Sequence, residues 1–444
     1  MNFFLNIQTV FDTDEDRTIR QLEKVYLDAG LLKDRLHKIT SSHLTTDAIK
    51  GKKMLLKPNW VKHDNRTTDS LCLRTNDQFL LAALEVILEK KPAEVIIGDA
   101  PIQGGDWDRM VSRDFIKTAE RIGKHYHVPV KIKDFRRAIF NPAKNNPVSE
   151  RNPLSDYVIF DVGKESYLEP ITNDNSRFRV TCYNPDRLMD SHSSGVHKYC
   201  VTKELFKADV VVSLPKIKTH QKTGITAALK NLVGINGDKD FLPHHRMGGT
   251  GFGGDCYPGR NYLRYWSELS LDMANRRQGK LSFRSWSKFS SLLWRLSCPG
   301  NEHQIAAGWH GNDTIWRMVL DLNKIAIYGK MDGTLSKEPQ RHIFSLCDGI
   351  IGGQGNGPLE PVPLPLGIIC FSNHSFLTDV ALGKLMNFDI LKIPMLSAAS
   401  ALLNSGDFEL MMNSRAIQLN ELNAFAIKTI PPPGWVRVLN GDRK

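Results

Sequence analysis

The stretch Ala208-Asp209-Val210-Val211-Val212-Ser213-Leu214-Pro215-Lys216-Ile217-Lys218-Thr219-His220 decides how this chain is read. Asp209–Leu214 carries apolar residues at successive positions, so both faces of the strand it predicts must be covered. That is the signature of a parallel sheet with helices on each side. Pro215 cannot donate a backbone hydrogen bond, and it closes the run just before the charged residues begin.

Outward from this stretch, strand and helix patterns alternate. Upstream, Lys53–Leu56 reads as a strand ending at Pro58, and Glu94–Gly98 and Val128–Ile132 read as two more. Between them Asn76–Glu89 places Phe79, Leu80, Ala83, Leu84, Ile87 and Leu88 at helical spacing, and Asp114–His125 predicts a second helix. From Asn141 to Tyr199 the helical period disappears, and loops with short strands are expected across the mouth of the sheet. A helix near Lys203–Lys207 precedes the decisive strand, and Gly224–Val233 reads as the helix after it. Further on come a helix at Thr314–Tyr328, a strand at His342–Cys347, a loop over Asp348–Pro363, a strand at Leu366–Phe371 and a helix at Ser375–Asn387.

This alternation predicts an α/β fold, mainly parallel sheet covered by helices, in one or two lobes. The expected organisation is a helical lead-in over 1–50, a core over 51–235 and 313–393, an insertion over 236–312, and a tail over 394–444 packed on the core.

Composition narrows the class. A 41% hydrophobic, 24% charged chain of 444 residues has ample material for a folded core. The net charge of +11 favours anionic partners. Nucleic acid is not the expected one, because the basic residues are dispersed and no helix-turn-helix, zinc-finger or RRM signature occurs. The closest of the seven cysteines, Cys182 and Cys200, are 18 apart, so no CxxC pair exists for a zinc ribbon or an iron–sulfur cluster. An odd, dispersed set fits reduced thiols in the cytoplasm. The N-terminus turns acidic without a basic leader region, and no stretch of about 18 apolar residues suggests a membrane span.

In open parallel sheets, ligands bind beyond the carboxyl ends of the strands. Asn59 and His63 follow the first predicted strand, Asp99 follows Val95–Gly98, Asp348 follows Ile343–Cys347, and the lysines follow Val210–Leu214. In an extended chain Lys216, Lys218 and His220 share one face and Thr219 points the other way. Thr223-Gly224 then reads as an N-cap and turn, with Ile225, Ala228, Leu229 and Leu232 facing the core and Thr226, Lys230 and Asn231 nearby. Lysines crowded at a helix N-terminus repel one another, and a bound anion relieves that repulsion. Crowding also lowers a lysine pKa towards the range of a useful base. A solvated basic loop is the plain alternative. The apolar strand before it and the patterned helix after it favour the binding reading.

Gly352–Pro358 is a glycine-rich loop able to approach a ligand, with Asn356 in it, yet it is neither a P-loop nor a dinucleotide fingerprint. A divalent metal stays open as a cofactor, with donors among His192, His197, His220, His244, His245, His310, Asp190 and Asp255, although no HExxH-type spacing supports it. Arg276–Cys298, read as a helix, puts Phe283, Trp286, Phe289, Leu293 and Leu296 on one face and Arg284, Lys288, Ser291 and Arg295 on the other. A basic aromatic helix of this kind suits peripheral contact with an anionic membrane surface; packing on the protein itself is the alternative.

The stretch from Ala208 to His220, continued by Thr226-Ala227-Ala228-Leu229-Lys230-Asn231-Leu232-Val233-Gly234, closely resembles the signature of the family called domain of unknown function 362. Lys57-Pro58-Asn59-Trp60-Val61, Gly98-Asp99-Ala100, Cys347-Asp348-Gly349-Ile350, Gly355-Asn356-Gly357-Pro358 and Asp379 agree in order, over roughly 55–390. The resemblance implies no mechanism. Many members add a ferredoxin-like iron–sulfur module; this sequence has no CxxCxxC run, so no such cluster is expected. The leading expectation is an acid/base enzyme on a small anionic substrate, a carboxylate or a phosphorylated sugar or lipid. His220, Lys218 and Asp99 would be catalytic; Lys216, Thr223, Thr226, Lys230, Asn231, Asn59, Asp348 and Asn356 would bind substrate. A non-catalytic membrane-surface assembly protein and a metal-dependent isomerase or lyase are the alternatives.

Overall fold

The computed structural model describes residues 3–140, 148–297, 305–403 and 408–439. The start of the loop expected from Asn141, and Cys298 at the end of the basic helix, lie outside the described residues.

The chain is an α/β fold built on one twelve-stranded sheet. Its strands are β1 (Phe3–Thr9), β2 (Lys53–Pro58), β3 (Glu94–Asp99), β4 (Val130–Asp134), β5 (Val210–Leu214), β6 (Lys216–His220), β7 (Gly224–Thr226), β8 (His342–Asn356), β9 (Glu360–Leu364), β10 (Ile368–Ser372), β11 (Phe408–Met412) and β12 (Arg415–Ala416). The main path runs β12-β11-β1-β10-β8-β5-β2-β3-β4, with β6 and β9 paired to β8 and β7 paired to β6. The run from β8 through β5, β2 and β3 to β4 is parallel throughout.

Period-two alternation explains how the sheet is covered. Met54, Leu56, Val95, Ile97, Val210 and Val212 pack in one layer, against α1 (Ile19–Leu27), α2 (Ala29–Thr40), α3 (Asp77–Leu88) and α4 (Arg113–His125). Leu55, Ile96 and Val211 face the other layer, which holds α5 (Ala228–Asn231), α8 (Ile315–Tyr328) and α9 (Ser375–Leu385). Each such Val, Leu or Ile contributes about 1.5–3 kcal/mol by burial.

Strand order locates the site. From β2 the chain moves outward through β3 to β4, and then returns to place β5 on the opposite side of β2. The carboxyl ends of β2 and β5 therefore flank a topological switch point, the place where open α/β sheets bind their ligands.

Three expectations need correction. The first fifty residues do not form a purely helical lead-in, because β1 lies inside the sheet, antiparallel to β10 and parallel to β11. Its partners sit at least 359 residues away, so no local signal marks it. Asp348–Pro363 is not a loop: β8 continues to Asn356 and turns back through β9. The helix expected from Gly224 begins at Ala228, because Gly224–Thr226 pairs instead with Lys218–His220 as a strand.

In the insertion, α6 (Tyr262–Asn275) and α7 (Ser282–Ser297) form a hairpin. They meet where Ser267 and Ser290 exchange hydroxyl-to-carbonyl hydrogen bonds of 2.8 Å. Closest approach at these small residues turns the Ser290 side of α7 inward. The face expected to be uniformly apolar is thereby split: Phe283, Trp286 and Leu293 are half-buried, while Phe289, Leu292 and Leu296 face outward. No described helix is long and apolar enough to cross a membrane.

Candidate anion site at the sheet switch point

At the carboxyl end of β2, Lys57 extends across the crevice. Its ammonium donates to Asp99 Oδ1 at 2.7 Å, to the Pro58 carbonyl at 2.8 Å and to Asn231 Oδ1 at 3.2 Å. Asp99, at the end of β3, also accepts the Trp60 N–H at 2.8 Å. Asn231 joins the two strands: its Nδ2 donates to the Lys57 carbonyl and to Ser213 Oγ, and its Oδ1 accepts from Asn59 Nδ2 at 3.1 Å. Asn59, Asp99 and Asn231, chosen from sequence, thus meet around a lysine that sequence reasoning passed over. The Lys-Pro-Asn run at the strand end was its visible signal. Gly234 belongs to the same wall, since a β-carbon there would overlap both the Asp99 carboxylate and the Lys57 ammonium.

β6 carries the lysine loop into the interior, and every residue from Lys216 to His220 is buried. The two lysines have different surroundings. Lys216 lies 2.9 Å from Asp348 Oδ2 and 3.0 Å from the Tyr26 hydroxyl. Asp348 further accepts from Tyr26 at 2.5 Å and from the Asn76 N–H at 2.9 Å. Lys216 and Asp348 are therefore neutralised within the protein. Lys218 donates to the Leu73 carbonyl and has no carboxylate partner; burial, with Lys216 and Lys230 nearby, pushes its pKa down to about 7.

Three more lysines face the same neighbourhood. Lys230 makes no hydrogen bond or ion pair among the described residues. Burial and the charges of Lys239, Lys57 and Lys222 lower its pKa to about 7. Lys239 donates to the Ala100 carbonyl at 2.9 Å and is pushed down to about 8 by burial. Lys222 reaches Thr181 Oγ1 at 3.2 Å and is also lowered by burial. Thr226 stands directly across from Lys218 in the β6–β7 ribbon. Its hydroxyl and the Asn59 Oδ1 are buried with no hydrogen-bond partner among the described residues.

Two histidines complete the cluster in opposite tautomers. His220 Nδ1 accepts from the Lys222 and Thr223 N–H groups at 3.0 and 3.3 Å, so its proton sits on Nε2. His244 Nδ1 lies 2.6 Å from the Leu242 carbonyl, which can only accept, so His244 Nε2 carries a lone pair. Burial, then the neighbouring lysines, holds both imidazoles well below their usual pKa. His220 can donate a hydrogen bond here; His244 can accept one. In the sequence His244 stands out only as a metal donor.

The remaining candidates stand apart or play local roles. The Thr223 hydroxyl closes its own turn on the Ile225 carbonyl at 2.8 Å. Asn356 bonds Gln221 and Glu360 in the β8–β9 hairpin. The hairpin's glycines serve the lysine strand itself: a β-carbon at Gly353 would lie 2.8 Å from Lys218 Cβ, and one at Gly357 would overlap the Thr219 carbonyl. The end of α5 expected to face an anion is capped from within, by Asp379 of α9, which accepts the Ala228 and Leu229 N–H groups at 2.7 and 3.2 Å. His192 and His197 contact each other beside Glu169, and His310 bonds the Gly434 carbonyl. Neither group joins the cluster.

A profile of the family described as Domain of unknown function (DUF362) matches residues 160–383, half of the chain. The chain belongs to that family. The matched span contains β5, β6, Lys230, Asn231, Asp348 and Asp379, whereas Lys57, Asn59 and Asp99 precede it. A thylakoid-associated protein of Synechocystis sp. (strain ATCC 27184 / PCC 6803) is 23% identical over 202 residues, 46% of this chain. The match spans 40% of that protein's length. A crystal structure of a Thermotoga maritima protein from a structural genomics consortium has a TM-score of 0.39 at 11% identity, covering 84% of this chain and 59% of that one.

Proposed function

We propose that this protein is an enzyme acting on a small substrate with a carboxylate or phosphate group, bound at the switch-point crevice. One observation carries the reading: Lys218, Lys222, Lys230 and Lys239 crowd one neighbourhood without an ion-pair partner among the described residues. The carboxylate at their centre, Asp99, is already engaged by Lys57. Mutual repulsion and burial disfavour that much positive charge, and an anion offsets both costs. The free Thr226 hydroxyl and the His220 Nε2–H supply neutral hydrogen bonds to the same anion. A lysine neutral near pH 7, Lys218 or Lys230, would take the proton in acid/base chemistry. Reduced, dispersed thiols fit action in the cytoplasm.

Sulfate, phosphate and small carboxylates should each raise the melting temperature of the unmutated protein. Lys218→Met and Lys230→Met should lose that response while keeping the native far-UV circular dichroism. An anion panel that leaves the unmutated protein unshifted would remove the basis of this reading.

A second reading rests on the α6–α7 hairpin, which exposes Tyr262, Trp266, Phe289, Leu292 and Leu296 beside Arg284, Lys288 and Arg295. That pairing suits the interface of an anionic membrane, and a relative's name places that protein at the thylakoid. Co-sedimentation with phosphatidylserine vesicles should weaken in Phe289→Ser and Leu292→Ser. No binding of the unmutated protein at low salt would sink it.

A further inference from the structure

Away from the lysine cluster, the insertion brings together three side chains with metal-binding chemistry. His245 comes from a two-residue strand paired to Phe178–Arg179, Cys256 from the end of the glycine-dense loop, and Glu268 from the middle of α6. All three are buried, and one donor atom from each lies within 4.8 Å of the others. The Cys256 thiol hydrogen-bonds the Glu268 carboxylate, yet the hydrogen bonding of the group is incomplete. His245 Nδ1 and Glu268 Oε1 are buried without a hydrogen-bond partner among the described residues. His245 Nε2 stands 3.4 Å from that same Glu268 oxygen. The other carboxylate oxygen is fixed by the Gly248 N–H at 2.9 Å, which orients the group.

Native interiors rarely leave buried polar atoms unsatisfied, and an ion held among the three donors is one physical remedy. We propose that His245, Cys256 and Glu268 form a zinc site. One imidazole nitrogen, one thiolate and one carboxylate are donors zinc accepts together, and thiolate selects it over magnesium or calcium. The two anionic ligands balance the ion's charge, so a buried site is electrically reasonable. Three protein ligands leave a fourth position open to water or another donor. The neighbouring Arg179 guanidinium is already paired, with Asp272 at 2.8 Å, and does not compete.

The local packing gives the metal a purpose. The small apolar cluster at the site consists of buried Cys256, Tyr257 and Ala307 with half-buried Trp294 and Ala306. So small a core stabilises its surroundings weakly, and a metal cross-link compensates in such cases. Zinc here would tie the glycine loop to α6, and through it the exposed hairpin to the body of the protein. The Lys222 ammonium of the lysine cluster acts electrostatically on Cys256 and Glu268, so the two sites adjoin, but none of the zinc ligands belongs to the anion reading.

The test uses the full chain dialysed against zinc chloride and then against buffer. Elemental analysis should find about one zinc per chain, and cobalt(II) in its place should show a thiolate charge-transfer band. Glu268→Gln and His245→Ala should weaken zinc affinity roughly tenfold or more, and Cys256→Ser should abolish the cobalt–thiolate band. Far-UV circular dichroism of each variant separates lost ligation from lost folding. Unmutated protein that retains no zinc, or a folded Cys256→Ser variant with unchanged zinc affinity and cobalt spectrum, overturns the proposal.

Discussion

Lys57 Nζ stands 2.7 Å from Asp99 Oδ1 at the ends of two adjacent parallel strands, and neither side chain reaches solvent. Burial lowers the lysine's pKa while the carboxylate opposes that shift, so each charge depends on the other. Asp99→Ala would leave the Lys57 ammonium and the Trp60 N–H without their acceptor. Breaking such a buried pair costs about 3–5 kcal/mol. Urea denaturation measures the loss, and Lys57→Met combined with Asp99→Ala should recover part of it.

The lysine cluster makes stability depend on pH in a defined direction. Lys218 and Lys230 fall from an ordinary value of 10.5 to about 7 in the native state. Between those limits the unfolded chain binds protons that the native chain does not, so their contribution to stability rises with pH from about 7 upward. Unfolding free energies at pH 7 and pH 9 should show this slope, and Lys218→Met with Lys230→Met should flatten it. A slope unchanged in the double variant would assign it to other groups.

Anion affinity should run the opposite way. Sulfate keeps its charge across neutral pH, whereas Lys218 and Lys230 lose theirs above about 7. Thermal stabilisation by sulfate should therefore weaken between pH 6 and pH 8, within about one unit of those values.

Gly234→Ala probes the geometry of the crevice. Its β-carbon would collide with Lys57 and Asp99, and forced repacking of this kind costs about 1–3 kcal/mol. The variant should melt earlier and respond less to sulfate. Gly51→Ala, where nothing lies within 4 Å but φ is +71°, serves as a control for destabilisation without crowding.

Asp379 caps the start of α5 from within the protein. Burial raises its pKa to about 8, opposed by the two backbone N–H groups it accepts. Asp379→Ala strands both donors, at about 1–3 kcal/mol for each buried group left unmade. Asp379→Asn keeps one acceptor and should fall between alanine and the native residue in chemical denaturation.

Much of the fold was legible because its signals are local. β5 declares itself by being apolar on both faces, and α3 by its helical spacing. Asn59 and Asp99 could be selected because residues just beyond parallel strands line the same edge. Lys239 gave no such signal, since Asp238-Lys239-Asp240 reads as solvated charge until Arg137 and Arg187 are seen to neutralise the aspartates. His220 and His244 could not be assigned opposite roles before their backbone partners were known.

By itself, then, the sequence determined an α/β sheet and a lysine–histidine strand leading into it, through residue periodicity and strand-end chemistry. Only the tertiary structure decided which lysine is neutralised by Asp348, which ones stand without a carboxylate, and that Cys256 and Glu268 join His245. Those outcomes depend on contacts between residues far apart in the chain, and charge balance is a property of the neighbourhood that folding creates.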